Sequence, residues 1–368
     1  MSKEQFRPAD HPNDHFLMTT VVGSYPKPTW LHRSRDLAEG GDISRPETRD
    51  HDPRDEHDLD FGGDDWQEAK DDAARLIVDE HERAGLDAVV DGEMRRSEMV
   101  EYFAARIDGF EFNGPVKVWG HNYFHKPSVV DEVEYAEPWL RDEYEFTSDV
   151  ASRPVKVPIT GPYTLARWSF DEAYDSTAAL ANDLADLVNQ EVEELVDAGA
   201  RYVQIDEPAL AQHEDDYAVV GDCLERIVDG LPEDVRVGLH VCYGDYDRIY
   251  PELLEFPVDE IDVELANGDY DKLDVFEEPT FTKDLALGAV DVHHAEVESV
   301  EEIKANIRRG LEVVPPERLV VSPDCGLKLL PREVAYRKTA NMVEAARELE
   351  AELDAGEVEV AASAAADD

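Results

Sequence analysis

Cysteine is almost absent from this chain: Cys223, Cys242 and Cys325 are the three in 368 residues. A fold stapled by disulfides is therefore not expected. Positive charge is scarce as well. Lys and Arg number 35 against 87 Asp and Glu, a formal net charge of −52, so the basic patches that nucleic acid and anionic membrane require are missing. No apolar run approaches the ~20 residues of a membrane span. The opening stretch, MSKEQFRPADHPNDHF, has no apolar segment of the signal-peptide kind. The expectation is a cytoplasmic protein with neither nucleic acid nor membrane as partner.

Hydrophobic residues still make up 42 % of the sequence, enough for a large core. The acids are spread along the whole chain rather than gathered in a tail, which assigns the excess to the surface. Such a surface repels itself at low ionic strength and needs salt to screen it. A salt-rich, halophilic cytoplasm is the expected setting.

Short β-branched runs recur at 19–25 (TTVVGSY), 88–93 (AVVDGE), 155–161 (VKVPITG) and 202–207 (YVQIDE). Four more follow at 236–242 (RVGLHVC), 260–266 (EIDVELA), 284–292 (DLALGAVDV) and 319–324 (LVVSPD). Between several of them the pattern turns helical: 66–84 before Gly85, 171–198 before Gly199, 215–229 and 298–312. Eight strand–helix units predict an α/β fold, a single (β/α)8 TIM barrel over residues 1–350. A doubly wound sheet would more often carry a glycine-rich turn after its first strand, and none is seen. Two connections exceed ordinary barrel loops. Residues 26–65 are polar and acidic; residues 104–154 are rich in aromatics and predict a hairpin excursion over the barrel mouth. The alanine- and acid-rich tail, 351–368, is expected to be disordered.

The chemistry-bearing residues fall at the carboxyl ends of these strands, where barrel enzymes build their sites. In GLHVCYG (238–244), His240 and Cys242 are two apart and share a strand face. Glu264 ends the sixth strand and Cys325 follows the eighth. One nitrogen, two sulfurs and a carboxylate suit tetrahedral zinc. A lone H-x-C would be weak, and a buried cysteine is usually a small hydrophobe; the reading rests on three strand ends converging. Cys223, inside an amphipathic helix, is read as core.

From about Thr19 to Lys338 the sequence resembles the C-terminal catalytic barrel of cobalamin-independent methionine synthase. The segments that carry the resemblance, in the family's order, are VVGSYPKP (21–28), DGEMRRSEMVEYF (91–103), ITGPYTLARWSF (159–170), VQIDEPAL (203–210), AVDVHH (289–294) and SPDCGLK (322–328). The resemblance implies transfer of a methyl group to the thiol of homocysteine, forming methionine. It assigns His240, Cys242, Glu264 and Cys325 to zinc, and Ser24, Glu93 and Asp206 to the amino-acid end of homocysteine. His293 corresponds to a proton-relay histidine, its neighbour His294 being the competing residue. Trp168 corresponds to an aromatic that packs on the donor's pterin. Carboxylates suit an ammonium group, which favours homocysteine over a sulfonate thiol such as coenzyme M. A non-catalytic zinc-binding barrel would be expected to lose these contacts. Zinc coordination favours the thiolate of a group whose pKa is ordinarily ~8.5.

The sequence departs from the family at the donor. The family's second, N-terminal barrel is not expected within 368 residues. Gln212 stands where the family has an acid that contacts the pterin, and VWGHNYF (118–124) offers Asn122 where the family has arginine. The expected donor is a methyl-tetrahydrofolate-type pterin or a methylated corrinoid on a partner protein.

Overall fold

The computed structural model describes residues 2–31, 63–114, 116–118, 122–242, 246–277 and 280–358. At its centre lies a parallel sheet of seven strands in the order Met18–Thr19, Leu319–Pro323, Asp284–Val290, Glu260–Val263, Arg236–Val241, Tyr202–Asp206 and Val157–Thr160. Segment 87–90 joins the two outer strands. The amides of Asp87 and Ala88 donate to Thr19 O, that of Val89 to Pro154 O, and that of Lys156 to Val89 O. The ring therefore closes with eight members, as the spacing predicts. The second member is confined to a bridge between Val89 and Val155, because the chain turns away immediately afterwards: Gly92 and Glu93 have φ of 70° and 58°.

The helices sit outside the ring. Helix Gly63–Ala84 ends at Gly85 and helix Thr177–Asp197 just before Gly199, with φ of 92° and 111° at the two glycines, the left-handed conformation that costs glycine least. The second of these starts six residues later than the sequence predicts. Phe170–Asp171 pairs instead with Ser128–Val129 as an edge strand, and Ser176 caps the helix by accepting from Ala179 N. Tyr217–Val228 and Val300–Val313 match expectation, the latter opened by a Ser299–Glu302 capping box. Cys223 is buried in the former, as read.

The 104–154 excursion is a hairpin of Ile107–Phe112 against Pro127–Tyr135, followed by helix Arg141–Val150. Phe110, Trp139 and Tyr144 anchor it by burial. Most of the 26–65 connection lies outside the described residues, as do Trp119 and the end of the tail from 359. The tail boundary expected at 351 moves. Helix Arg332–Asp354 runs through it, because Leu353 is buried and Asp354 accepts the amides of Asp14 and His15.

Alternate strand positions point into the ring and form a polar column. At its base Arg236 pairs with Glu260 at 2.7 Å and Asp284 at 2.8 Å, and Tyr202 donates to Glu260. Beneath them Lys3 is fully buried, donating to carbonyls of Phe16, Pro316 and Leu319. The base is thus sealed, and ligands reach the column from the carboxyl end of the strands. Among the described residues no helix is long and apolar enough to cross a membrane.

Candidate active site

Adjacent strands bring His240, Cys242 and Cys325 together at that end, with one donor atom of each within 4.8 Å of the others. His240 and Cys242 ride the strand Arg236–Val241 and its first following residue, and Cys325 follows Leu319–Pro323 by two residues. His240 is 2 % exposed, and neither ring nitrogen makes a well-formed hydrogen bond. Cys325 is held well below the ordinary thiol range, first by the hydrogen bond from Cys242 and further by His240; Cys242 is pushed up in return. A buried imidazole with an orphaned nitrogen beside two thiols, one favouring the thiolate, fits a soft, tetrahedral metal ion.

Glu264 lies at the edge of this group rather than in it. Its Oε1 is 3.1 Å from His293 Nε2 and accepts from Asn267 Nδ2 at 3.0 Å. His293 faces the same cavity, whereas His294 turns outward onto Asp291 with its side chain 74 % exposed. The structure thereby separates the two histidines that the sequence left side by side.

The cavity holds about 190 Å³ and gathers Ser24, Glu93, Asp206, Trp168 and Gln212 with the His–Cys–Cys group. Two glycines make it possible. A Cβ on Gly23 would lie 2.8 Å from Glu93 Oε1, and one on Gly326 would lie 2.0 Å from Ser24 Oγ. Glu93 itself, at φ 58°, occupies a strained conformation of the kind that clusters at functional sites. Burial pushes the Asp206 carboxyl up to about 7 against the pull of His240. Its neighbour Glu207 points elsewhere. It accepts Tyr163 N, Thr164 N and Thr164 Oγ1 at 3.0, 2.7 and 2.6 Å, capping the helix Pro162–Arg167 that ends at Trp168.

Three further polar residues of this site are not among those the sequence singles out. Asp262, fully buried, sits with Oδ1 3.3 Å from His240 Nδ1, the carboxylate–imidazole arrangement that orients metal-binding histidines. Its one trace in the sequence is its place two residues before Glu264, on the same strand face. Asp324 accepts the amides of Leu265, Ala266 and Asn267 at 2.9, 2.8 and 2.6 Å, tying the loop after Glu264 to the residue before Cys325. Glu98 lines the cavity while capping helix Met99–Ala104.

A closed (β/α)8 barrel with thiol, imidazole and carboxylate groups converging on its carboxyl-end cavity defines an enzyme of the barrel class that builds its site on strand ends. Comparison with known proteins narrows this. The chain belongs to the cobalamin-independent synthase family, residues 17–348 matching the model of its catalytic domain. It is similar to the methionine synthases of Saccharolobus solfataricus, 43 % identical over 338 residues and covering 92 % of this chain and 96 % of that one. It is likewise similar to that of Pyrococcus furiosus, 44 % identical over 339 residues, 92 % and 94 % covered. Among solved structures, a B12-independent methionine synthase from Shewanella sp. W3-18-1 in complex with selenomethionine superposes with TM-score 0.79 at 27 % identity, covering 92 % of this chain and 99 % of that one. The chain is accordingly a methyltransferase of the methionine-synthase kind.

Proposed function

We propose that the chain methylates the thiol of homocysteine to form methionine, with zinc held by His240, Cys242 and Cys325 and with Glu264 as a fourth, exchangeable ligand. The observation that carries this reading is the sharing of one cavity by the His–Cys–Cys group and the carboxylates of Glu93 and Asp206. A thiol and an ammonium on one small molecule answer those two features together. Glu93 and Asp206 bind the ammonium; Ser24, with neighbouring backbone amides, binds the carboxylate. Zinc, when bound, favours the thiolate form of the incoming sulfur. The S–CH3 bond forms as the bond from methyl to donor breaks. Trp168 offers a flat face to the donor, and His293 supplies a proton to a leaving nitrogen. Holding both reactants in line is itself a large part of the acceleration.

Gln212 lines the cavity where the resemblance would place an acid, and this supports a second donor reading, a methylated corrinoid on a partner protein, beside a methyl-tetrahydrofolate-type pterin. The test is methionine formation by purified protein in high salt, with homocysteine and each donor in turn and metal counted in the same sample. Methionine with one zinc per chain is expected. Inactivity with every donor despite full zinc would overturn the reading.

A further inference from the structure

Below Asp206 runs a hydrogen-bonded relay that the reaction does not call on directly. Gln204 Nε2 donates to Asp206 Oδ1 at 2.7 Å and to Val22 O at 3.1 Å, while Gln204 Oε1 accepts from Lys156 Nζ at 2.6 Å. Lys156, Gln204 and Asp206 are 1 %, 0 % and 8 % exposed, so these bonds lie buried beneath the cavity. Gln204 and Asp206 are two apart on one strand and share a face. Lys156 precedes the neighbouring strand Val157–Thr160, and Val22 lies two residues before Ser24.

We infer that Gln204 is a positioning residue for the acceptor site, and that Lys156 sets its polarity. The inference rests on the reading of Asp206 as an ammonium ligand. An amide has one accepting end and one donating end, and either can face a neighbour. An ammonium only donates. Lys156 therefore turns the Gln204 oxygen toward itself and the NH2 toward Asp206, where it meets a carboxylate oxygen in its accepting state. Among the described residues no hydrogen bond engages Asp206 Oδ2, so with Oδ1 fixed the second oxygen is left for the substrate ammonium. The same NH2 holds the Val22 carbonyl, setting the Ser24 loop at a fixed distance from Asp206. One side chain thus spaces the group that reads the amine from the group that reads the carboxylate.

The test compares two ligands by titration calorimetry on metal-loaded protein in high salt: homocysteine and 4-mercaptobutyrate, which keeps the thiol and carboxylate but lacks the amine. Wild type is expected to prefer homocysteine by at least about tenfold, the scale of one charge-assisted hydrogen bond. Gln204→Glu keeps an acceptor for Lys156 but sets an acid against Asp206. The preference should fall about tenfold, with metal content unchanged; 4-mercaptobutyrate, which meets only the Ser24 side of the site, should weaken less than homocysteine. The double variant Gln204→Met with Lys156→Met removes both partners together, which leaves no orphaned ammonium, and reads the same quantity should the first variant not fold. A preference that survives in the variants, or an equal loss of both ligands, overturns the inference. A wild type with no preference overturns the ammonium assignment itself, and this inference with it.

Discussion

Asp262 and His240 are register partners across two neighbouring parallel strands, with Asp262 Oδ1 3.3 Å from His240 Nδ1 and both side chains buried. A carboxylate facing one ring nitrogen favours the proton on that side and leaves the lone pair of the other nitrogen toward the thiols, as a metal ligand needs. Asp262→Asn, which can present an NH2 to that nitrogen instead, should weaken metal binding by roughly 10–100-fold. Competition with a chelator measures it, and unchanged retention would refute the role.

Replacing Cys242 or Cys325 by serine should remove metal and activity together, since a hydroxyl is not deprotonated readily enough to stand in for a thiolate. Metal analysis of both purified variants decides the point. Full zinc occupancy in both would sink the ligand assignment.

The acceptor and donor halves of the cavity should separate by mutation. Asp206→Asn loses one charge-assisted contact and should weaken homocysteine binding about tenfold, with zinc content unchanged. Gln212→Glu should leave homocysteine alone and improve use of a folate donor. Paired titrations, each substrate at a fixed level of the other, distinguish the two. No gain on folate would turn attention to the corrinoid donor.

Gly161 is held by its neighbour rather than by its torsion angle: a Cβ there would lie 2.2 Å from the Glu207 carboxylate. Gly161→Ala should destabilise the fold by about 1–3 kcal/mol through overpacking. Glu207→Ala should do at least as much, because three buried donors lose their acceptor. Thermal melts in high salt would show it; a melting temperature unchanged by Gly161→Ala would mean that the carboxylate moves aside freely.

Low salt should inactivate or unfold the protein. The charge of −52 loses its screening as the Debye length grows from ~3 Å at 1 M to ~30 Å at 0.01 M. Activity and circular dichroism across a KCl series test this. Equal stability at both ends would show that the acids answer to something other than salt.

The barrel was legible in the sequence because its strands are short β-branched runs cut off by turn residues, and local pattern suffices for those. His240 and Cys242 were legible because cysteine is rare here. Asp262 was not: one acid among 87 carries no signal until strand register sets it against a ligand, and Asp324, though inside SPDCGLK, shows its hold on the loop after Glu264 only in the fold. Gln204 is visible only through its neighbours, one of which lies 48 positions away. The late start of helix Thr177–Asp197 was hidden for a similar reason, since the partner of Phe170–Asp171 is Ser128–Val129 on the excursion hairpin. Composition misplaced the tail boundary because it weighs alanine and acid but not the one buried leucine that anchors the last turn.

The ring is not uniform around its circumference. Six strands, from Leu319–Pro323 to Val157–Thr160, are laddered over several residues, but Met18–Thr19 pairs with the last strand at only two positions and segment 87–90 at a single bridge. His240, Cys242, Glu264, Cys325 and Asp206 all follow from the six. Ser24 and Glu93 follow from the other two. Amide hydrogen exchange should therefore be fastest along that seam, where local opening breaks the fewest bonds. An amino acid gripped by Asp206 on one side and by Ser24 and Glu93 on the other would staple the seam shut, so that substrate binding slows exchange there while leaving the metal-bearing strands as they were.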